Sequence, residues 1–196
     1  MTFEIRLAVP SDASFIADHL CRAGGGLMEF LLADIIPDVV PEQLLAINAT
    51  EGDEAMSYKN ALVVDTENGP KGLLLAYSFD EFNISKQMEM FVDRERLDHV
   101  RELYTHRLEN SYYVHALSVD DSLQGQGAGR ALLDLAYEIA QDEGFDSVSL
   151  HVWRDNERAF DLYQKNGFKP VTDIRIDRHD RLPHDGGMIL MKHELG

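Results

Sequence analysis

The chain has 196 residues, 44% of them hydrophobic and 9% aromatic, a composition that sustains a buried core and excludes intrinsic disorder. Its 35 acidic against 18 basic side chains leave a formal net charge of −17, which repels phosphate backbones and excludes nucleic acid as the natural partner. With Cys21 alone no internal disulfide can form. The start lacks a signal-peptide pattern, and no apolar run approaches the roughly 20 residues of a membrane span, so a cytoplasmic protein without a membrane partner is expected.

Residues Phe3 to Ala8 alternate as a half-buried strand. Pro10-Ser11-Asp12 opens a helix with Ser11 as its N-cap, and Gly24-Gly25-Gly26 ends it. A second helical stretch spans Leu27 to Ile36, closed by Pro37, and a third spans Pro41 to Thr50. Ala61–Asp65 and Gly72–Tyr77 read as an antiparallel hairpin, turned by Asn68-Gly69-Pro70. Residues 78–110 form a polar insertion whose second half, Arg94 to Leu108, places Leu97, Val100, Tyr104 and Leu108 on one helical face.

The second half of the chain carries the chemistry. A strand, Tyr112–Val119, leads through an acidic turn into the glycine-rich run Gln124-Gly125-Gln126-Gly127-Ala128-Gly129. An amphipathic helix follows from Arg130 to Glu143, with Gly144 just past its end. Ser147–Trp153 is the next strand, a helix starting at Asp155-Asn156 ends at Gly167, and strands over Phe168–Ile176 and Met188–His193 complete the chain. The order predicts one α/β domain over 1–196, a central sheet flanked by helices, with the insertion at about 78–110.

A strand, a glycine loop and a helix in succession aim free backbone N–H groups, and the positive end of the helix dipole, at an anion. The glycines let a phosphate approach, and Arg130 in the first turn adds a charge-assisted bond that offsets the acidic surroundings. A P-loop is excluded because no Lys-[Ser/Thr] follows the glycines. A dinucleotide fingerprint is excluded because its third glycine falls on Arg130 or Leu132.

The remaining pattern, Gln-x-x-Gly-x-Gly at Gln124, Gly127 and Gly129, resembles the GCN5-related N-acetyltransferase (GNAT) family. Leu117-Ser118-Val119 in the preceding strand, the group Asn156, Ala159, Tyr163 and Asn166-Gly167-Phe168, and the opening Ile5-Arg6-x-Ala8 with Asp12-Ala13 strengthen the likeness. The resemblance implies the GNAT fold, a mixed and mostly antiparallel sheet whose central strands splay. It implies acetyl-CoA as cosubstrate, with direct transfer to a primary amine in a ternary complex. Backbone groups of Leu117 and Val119, with Ser118 between them, would pair with the pantetheine arm. Amides of Gln124, Gly125, Gln126, Gly127, Ala128, Gly129 and Arg130 would take the diphosphate, Asn156 would contact the arm, and Tyr163 would protonate the leaving thiolate.

The chemistry sets demands of its own. A lysine-like amine with pKa ~10.4 is neutral in roughly one molecule in 2,500 at pH 7, a penalty of about 4.6 kcal/mol. The Leu117 N–H is the family's oxyanion donor, and Tyr163 the candidate acid, although it also reads as a core tyrosine beside Phe160. The glutamate that many relatives carry upstream in this strand is missing here. By period-2 alternation Tyr113, His115 and Leu117 share a face, making His115 the candidate base, with Asp120, Glu81 or a water chain as alternatives. The missing glutamate keeps open a second class, a non-catalytic acyl-CoA sensor. Eight histidines without metal-ligand spacing argue for no metal. The acidic composition favours a cationic acceptor, and oligomeric state stays open, a homodimer included.

Overall fold

The computed structural model describes residues 2–50 and 55–196. β1 (Glu4–Leu7) is followed by α1 (Ala13–Gly24), α2 (Leu27–Leu32) and α3 (Pro41–Thr50). Then come β2 (Ala61–Thr66), β3 (Gly69–Ser78), α4 (Lys86–Phe91), α5 (Arg94–His99) and β4 (Ser111–Val119). The last part comprises α6 (Ala128–Asp142), β5 (Ser147–Trp153), α7 (Glu157–Lys165), β6 (Lys169–Ile174) and β7 (Met188–Glu194). The strands form one seven-stranded sheet in the order β1-β2-β3-β4-β5-β7-β6, antiparallel throughout except for the parallel pair β4–β5. This is the mixed, mostly antiparallel open sheet expected from the sequence.

The alternating side chains of the strands feed two cores. On one face Val63, Leu73, Leu75, Tyr113 and Trp153 pack with Ile16 and Leu20 of α1 and Phe30 of α2. On the other, Val64, Leu74, Val114, Leu150 and Met191 pack under Leu132, Leu133, Ala136 and Ala140 of α6. Those four positions recur at helical spacing in a run of strong helix formers, and all four are fully buried. Burial of a leucine side chain stabilises by roughly 1.5–3 kcal/mol, so this stripe fixes the helix that follows the glycine loop. Gly144 adopts φ 82°, a left-handed turn that a side chain would strain, and ends α6 as expected.

Several boundaries differ from the expectations, each for a local reason. α1 begins at Ala13, after a 3-10 turn over Pro10–Asp12, and Ser11 does not cap it. Instead Asp12 accepts from the Val9 N–H at 2.9 Å and binds Arg6 at 2.7 Å, so the acid and not the serine organises the turn. α2 stops at Leu32 rather than Ile36, and Asp34 takes φ 64°. The hairpin is tighter than read, with β3 starting at Gly69 (φ 89°). The expected helix over Arg94–Leu108 breaks at Val100 into α5 and a 3-10 turn over Arg101–Tyr104. Within 78–110, Phe79, Phe82, Val92, Leu97, Val100 and Leu103 are buried against the α1 face, so the polar composition of this stretch conceals a substantial apolar contribution. Among the described residues no helix is long and apolar enough to cross a membrane.

Candidate active site

The site begins where two strands part. β4 and β5 pair only from Ser111↔Ser147 to Val114↔Leu150, although β4 continues to Val119 and β5 to Trp153. The parting follows a bulge. Opposite β3, Leu75 faces Ala116 and Ala76 faces Val114, which leaves His115 as a surplus residue in β4. A bulge bends its strand and increases the local twist, turning the rest of β4 away from β5. The Asp120 N–H donates to Lys71 O at 2.7 Å. By alternation, the N–H and C=O of Leu117 and Val119 therefore point away from β3 into the gap.

The bulge also corrects the face assignment read from the sequence. Tyr113 and Ala116 lie in the core on the α1 side, whereas Val114, Leu117 and Val119 pack on the α6 side. Tyr113 and Leu117 thus do not share a face, because the surplus residue resets the two-residue period between them.

A cleft of about 770 Å³ runs through the gap. Of the residues singled out in the sequence, Leu117, Ser118, Val119, Gln124, Gly125, Gly127, Ala128, Gly129, Arg130, Asn156 and Tyr163 line it. Gln126 and His115 do not. Gln126 Nε2 donates to Ser122 O at 2.8 Å, and the Gln124 side-chain amide donates to Asp121. Both glutamines brace the loop through these bonds.

The glycine loop presents its amides. Gly125 and Gly127 take φ 72° and 84°, and Gly127 is the N-cap of α6. Ala131 N–H donates to Gly127 O, the first bond of the helix. The N–H groups of Gly125, Gly127, Ala128, Gly129 and Arg130 make no backbone bond among the described residues. A Cβ on Gly125 or Gly127 would meet open space within 4 Å, so packing does not require glycine there; the left-handed backbone does. Such a loop can bind an anion of phosphate type.

The charge of the cleft opposes that of the chain. Arg22, Arg130, Arg158 and Lys165 line it against one carboxylate, Asp161, within a protein of net charge −17. Arg22, Arg158 and Lys165 were not singled out in the sequence. Arg158, Asp161 and Lys165 follow the i, i+3, i+7 spacing of one helical face on α7, a signal that was legible. Arg22 comes from α1, distant in sequence, and only the fold brings it there.

Asn156 and Tyr163 have structural duties as well. Asn156 Oδ1 accepts from the Ala159 N–H at 3.1 Å and so caps α7, and the residue also lines the cleft. Tyr163 is 8% exposed, and burial pushes its hydroxyl up to about 12. Among the described residues that hydroxyl has no hydrogen-bond partner, so a protonated phenol is available at the cleft wall.

His115 is half-buried, with Nδ1 2.8 Å from the Tyr77 hydroxyl, and burial pushes its pKa down to about 4. His151, which the sequence reading passed over, does line the cleft. Its Nδ1 lies 2.9 Å from the Tyr113 hydroxyl, and burial, with a smaller contribution from His115, lowers its pKa to about 3. The alternation Ser149, His151, Trp153 along β5 was the available signal. Away from the cleft, Cys21, Glu29 and Glu42 each bring one donor atom within 4.8 Å of the others. Burial and the nearby carboxylates push the Cys21 thiol up to about 12, so it is protonated at neutral pH in the metal-free protein.

Fold and cleft together define a GNAT acetyltransferase architecture, and residues 73–168 match the Acetyltransferase (GNAT) family. That match takes in 96 residues, a little under half of the chain. An N-acetyltransferase from Staphylococcus aureus Mu50 superposes with a TM-score of 0.70 at 21% identity, covering 96% of this chain and 99% of that one. The PaiA N-acetyltransferase of Thermoplasma acidophilum, solved in complex with coenzyme A, superposes with a TM-score of 0.56 at 16% identity, covering 99% of each chain. A mycothiol acetyltransferase of Beutenbergia cavernae is 45% identical over 59 residues, which is 30% of this chain and 20% of that protein. The match therefore spans about a fifth of that curated relative's length.

Proposed function

We propose that this protein transfers an acetyl group from acetyl-CoA to a primary amine by direct attack within a ternary complex. The observation that carries the reading is the reversal of charge at the cleft. Four cations, of which Arg22 and Arg130 also face Asp120 and Asp134, and a set of unpaired amides line one cleft in a strongly acidic chain. An anionic ligand accounts for that reversal, since a cationic one would be better served almost anywhere else on the surface.

In this reading the amides of Gly125, Gly127, Ala128, Gly129 and Arg130 hold the diphosphate, and Arg158 and Lys165 add charge from α7. The pantetheine arm lies along Leu117 and Val119, whose backbone groups stand open because β5 has left. The Leu117 N–H meets the developing oxyanion. Tyr163, its hydroxyl protonated and unpartnered, delivers a proton to the departing thiolate, a role that in positioned acids contributes about 10²–10⁴-fold. The amine arrives from the α1 side, past His151 and Trp153. One domain suffices for this, with residues 78–110 forming the aromatic wall of that side.

The absence of a carboxylate opposite Tyr163 favours a second reading, an acyl-CoA sensor without turnover: Asp161, on α7, is the one acidic residue lining the cleft. Release of free thiol from acetyl-CoA across a panel of amines separates the two. Turnover that falls at least about 100-fold in Tyr163→Phe supports the enzyme. Micromolar binding of CoA without turnover on any amine supports the sensor, and absence of CoA binding removes both.

A further inference from the structure

Two tyrosine–histidine pairs stand side by side on the α1 face of the sheet, one bridging β3 and β4, the other β4 and β5. Tyr77 Oη lies 2.8 Å from His115 Nδ1, and Tyr113 Oη lies 2.9 Å from His151 Nδ1. Both tyrosines are buried, and burial holds both phenols well above their usual pKa, so they stay protonated. Among the described residues neither hydroxyl has another acceptor. Each phenol must therefore donate to Nδ1, and each neutral imidazole carries its own proton on Nε2. This removes both histidines as bases at that nitrogen and makes them donors.

One of these donors is sealed without an acceptor. His151 Nε2 has no partner and no accessible surface, although the ring borders the cleft. His115, which does not line the cleft, makes its hydrogen bond through Nδ1 and stands behind His151 on the same face. Both rings stand within 6.0 Å of the Phe82 ring, with Phe79 and Tyr113 completing an aromatic surround. A buried donor without an acceptor destabilises the free protein, and groups of this kind collect where a ligand completes them. A low-dielectric surround strengthens whatever bond they then make.

Resting on the acetyl-transfer reading, we infer that His151 receives an oxygen atom of the acceptor, which is therefore an α-amino carbonyl compound: an amino acid, its amide or a peptide N-terminus. Such a molecule sets its amine beside the thioester while its carbonyl or carboxylate oxygen meets the His151 Nε2–H. A polyamine offers no oxygen, and its second ammonium finds no carboxylate among the cleft residues other than Asp161 of α7.

Two measurements on the full chain decide the matter. Long-range proton–nitrogen NMR at pH 7, assigned with His115→Gln and His151→Gln, should show both imidazoles as the Nε2–H tautomer. Tyr113→Phe should move His151 toward a mixture. An Nδ1–H tautomer at His151 in the unaltered protein overturns the inference. In transfer assays, amino-acid amides and dipeptides should exceed putrescine and spermidine by about 10-fold or more in kcat/KM, the worth of one good hydrogen bond. His151→Leu should raise the acceptor KM by a similar factor and leave the CoA Kd within about twofold, while His151→Gln, which keeps an N–H donor, should recover most of the loss. Preference for polyamines, or no acetylation of any α-amino carbonyl compound by protein that binds CoA, overturns it. Protein that binds no CoA overturns the acetyl-transfer reading and this inference together.

Discussion

Replacing Gly129 by alanine separates what the fold needs from what the ligand needs. Gly129 lies in the first turn of α6 with an ordinary helical backbone, unlike Gly125 and Gly127. A Cβ there would meet only Val119 Cγ2, at 3.8 Å, which is normal packing distance. Alanine is favoured over glycine by about 0.8–1.0 kcal/mol in a helix interior and by less near an end. The variant should therefore be as stable as the parent or up to about 1 kcal/mol more so, a Tm rise of at most about 2–4 °C for a chain of this size. The same methyl group would stand beside the amides of residues 128–130 and hold a diphosphate off. Losing one hydrogen bond to a charged group removes about 1.5–3 kcal/mol, which is about 10- to 150-fold in Kd. Scanning calorimetry and isothermal titration with CoA read the two quantities separately. A variant that is stable and still binds CoA as tightly as the parent would refute the assignment of these amides to the ligand. The companion Gly127→Ala, forced to φ 84°, should lose about 1–2 kcal/mol of stability as well as affinity.

Tyr163→Phe should leave the melting temperature almost unchanged, because its hydroxyl bonds nothing in the protein, while lowering turnover by about 10²–10⁴-fold in steady-state kinetics. Asn156→Ala should cost about 1 kcal/mol through loss of the α7 cap, with Asn156→Asp restoring stability; thermal melts of the three proteins test this. Asp12, 7% exposed, has its pKa lowered by hydrogen bonds from Arg6, opposed by burial. A depressed carboxylate contributes stability above its unfolded pKa of ~3.9 and loses it as pH falls through the lower folded value. Asp12→Asn should therefore lose about 1–3 kcal/mol at pH 7 and show a flatter stability profile below pH 4 by circular dichroism. Raising ionic strength should weaken CoA binding less in Lys165→Gln than in the parent, since one screened attraction has been removed; equal salt slopes would exclude Lys165 from the binding field.

The sequence disclosed most of the elements in chain order and the glycine loop because both rest on local signals. Strand alternation, helix spacing and the glycines at 125, 127, 129, 144 and 167 can each be read within a few residues. What failed was non-local. The surplus residue at His115 is invisible in Tyr112–Val119, since only the partner strand shows that Leu75 and Ala76 skip it. The false grouping of Tyr113 with Leu117 follows from that. Arg22 was unreadable for the same reason, being carried to the cleft by packing of α1 against β4. The insertion misled through composition. Its charged surface hides Phe79 and Phe82, whose burial depends on the sheet face beneath them.

The entrance to this protein is a repaired fault left deliberately open. Delete His115, and Val114 and Ala116 become neighbours opposite Ala76 and Leu75, which are already consecutive; no other side chain on β4 changes face. Nothing then stops β4 from zipping onto β5 beyond Leu150, bringing Ala116 beside His151 and shutting the gate between the strands. A protein one residue shorter should gain backbone pairing and lose its visitor. Here a single supernumerary amino acid separates a continuous wall from a doorway.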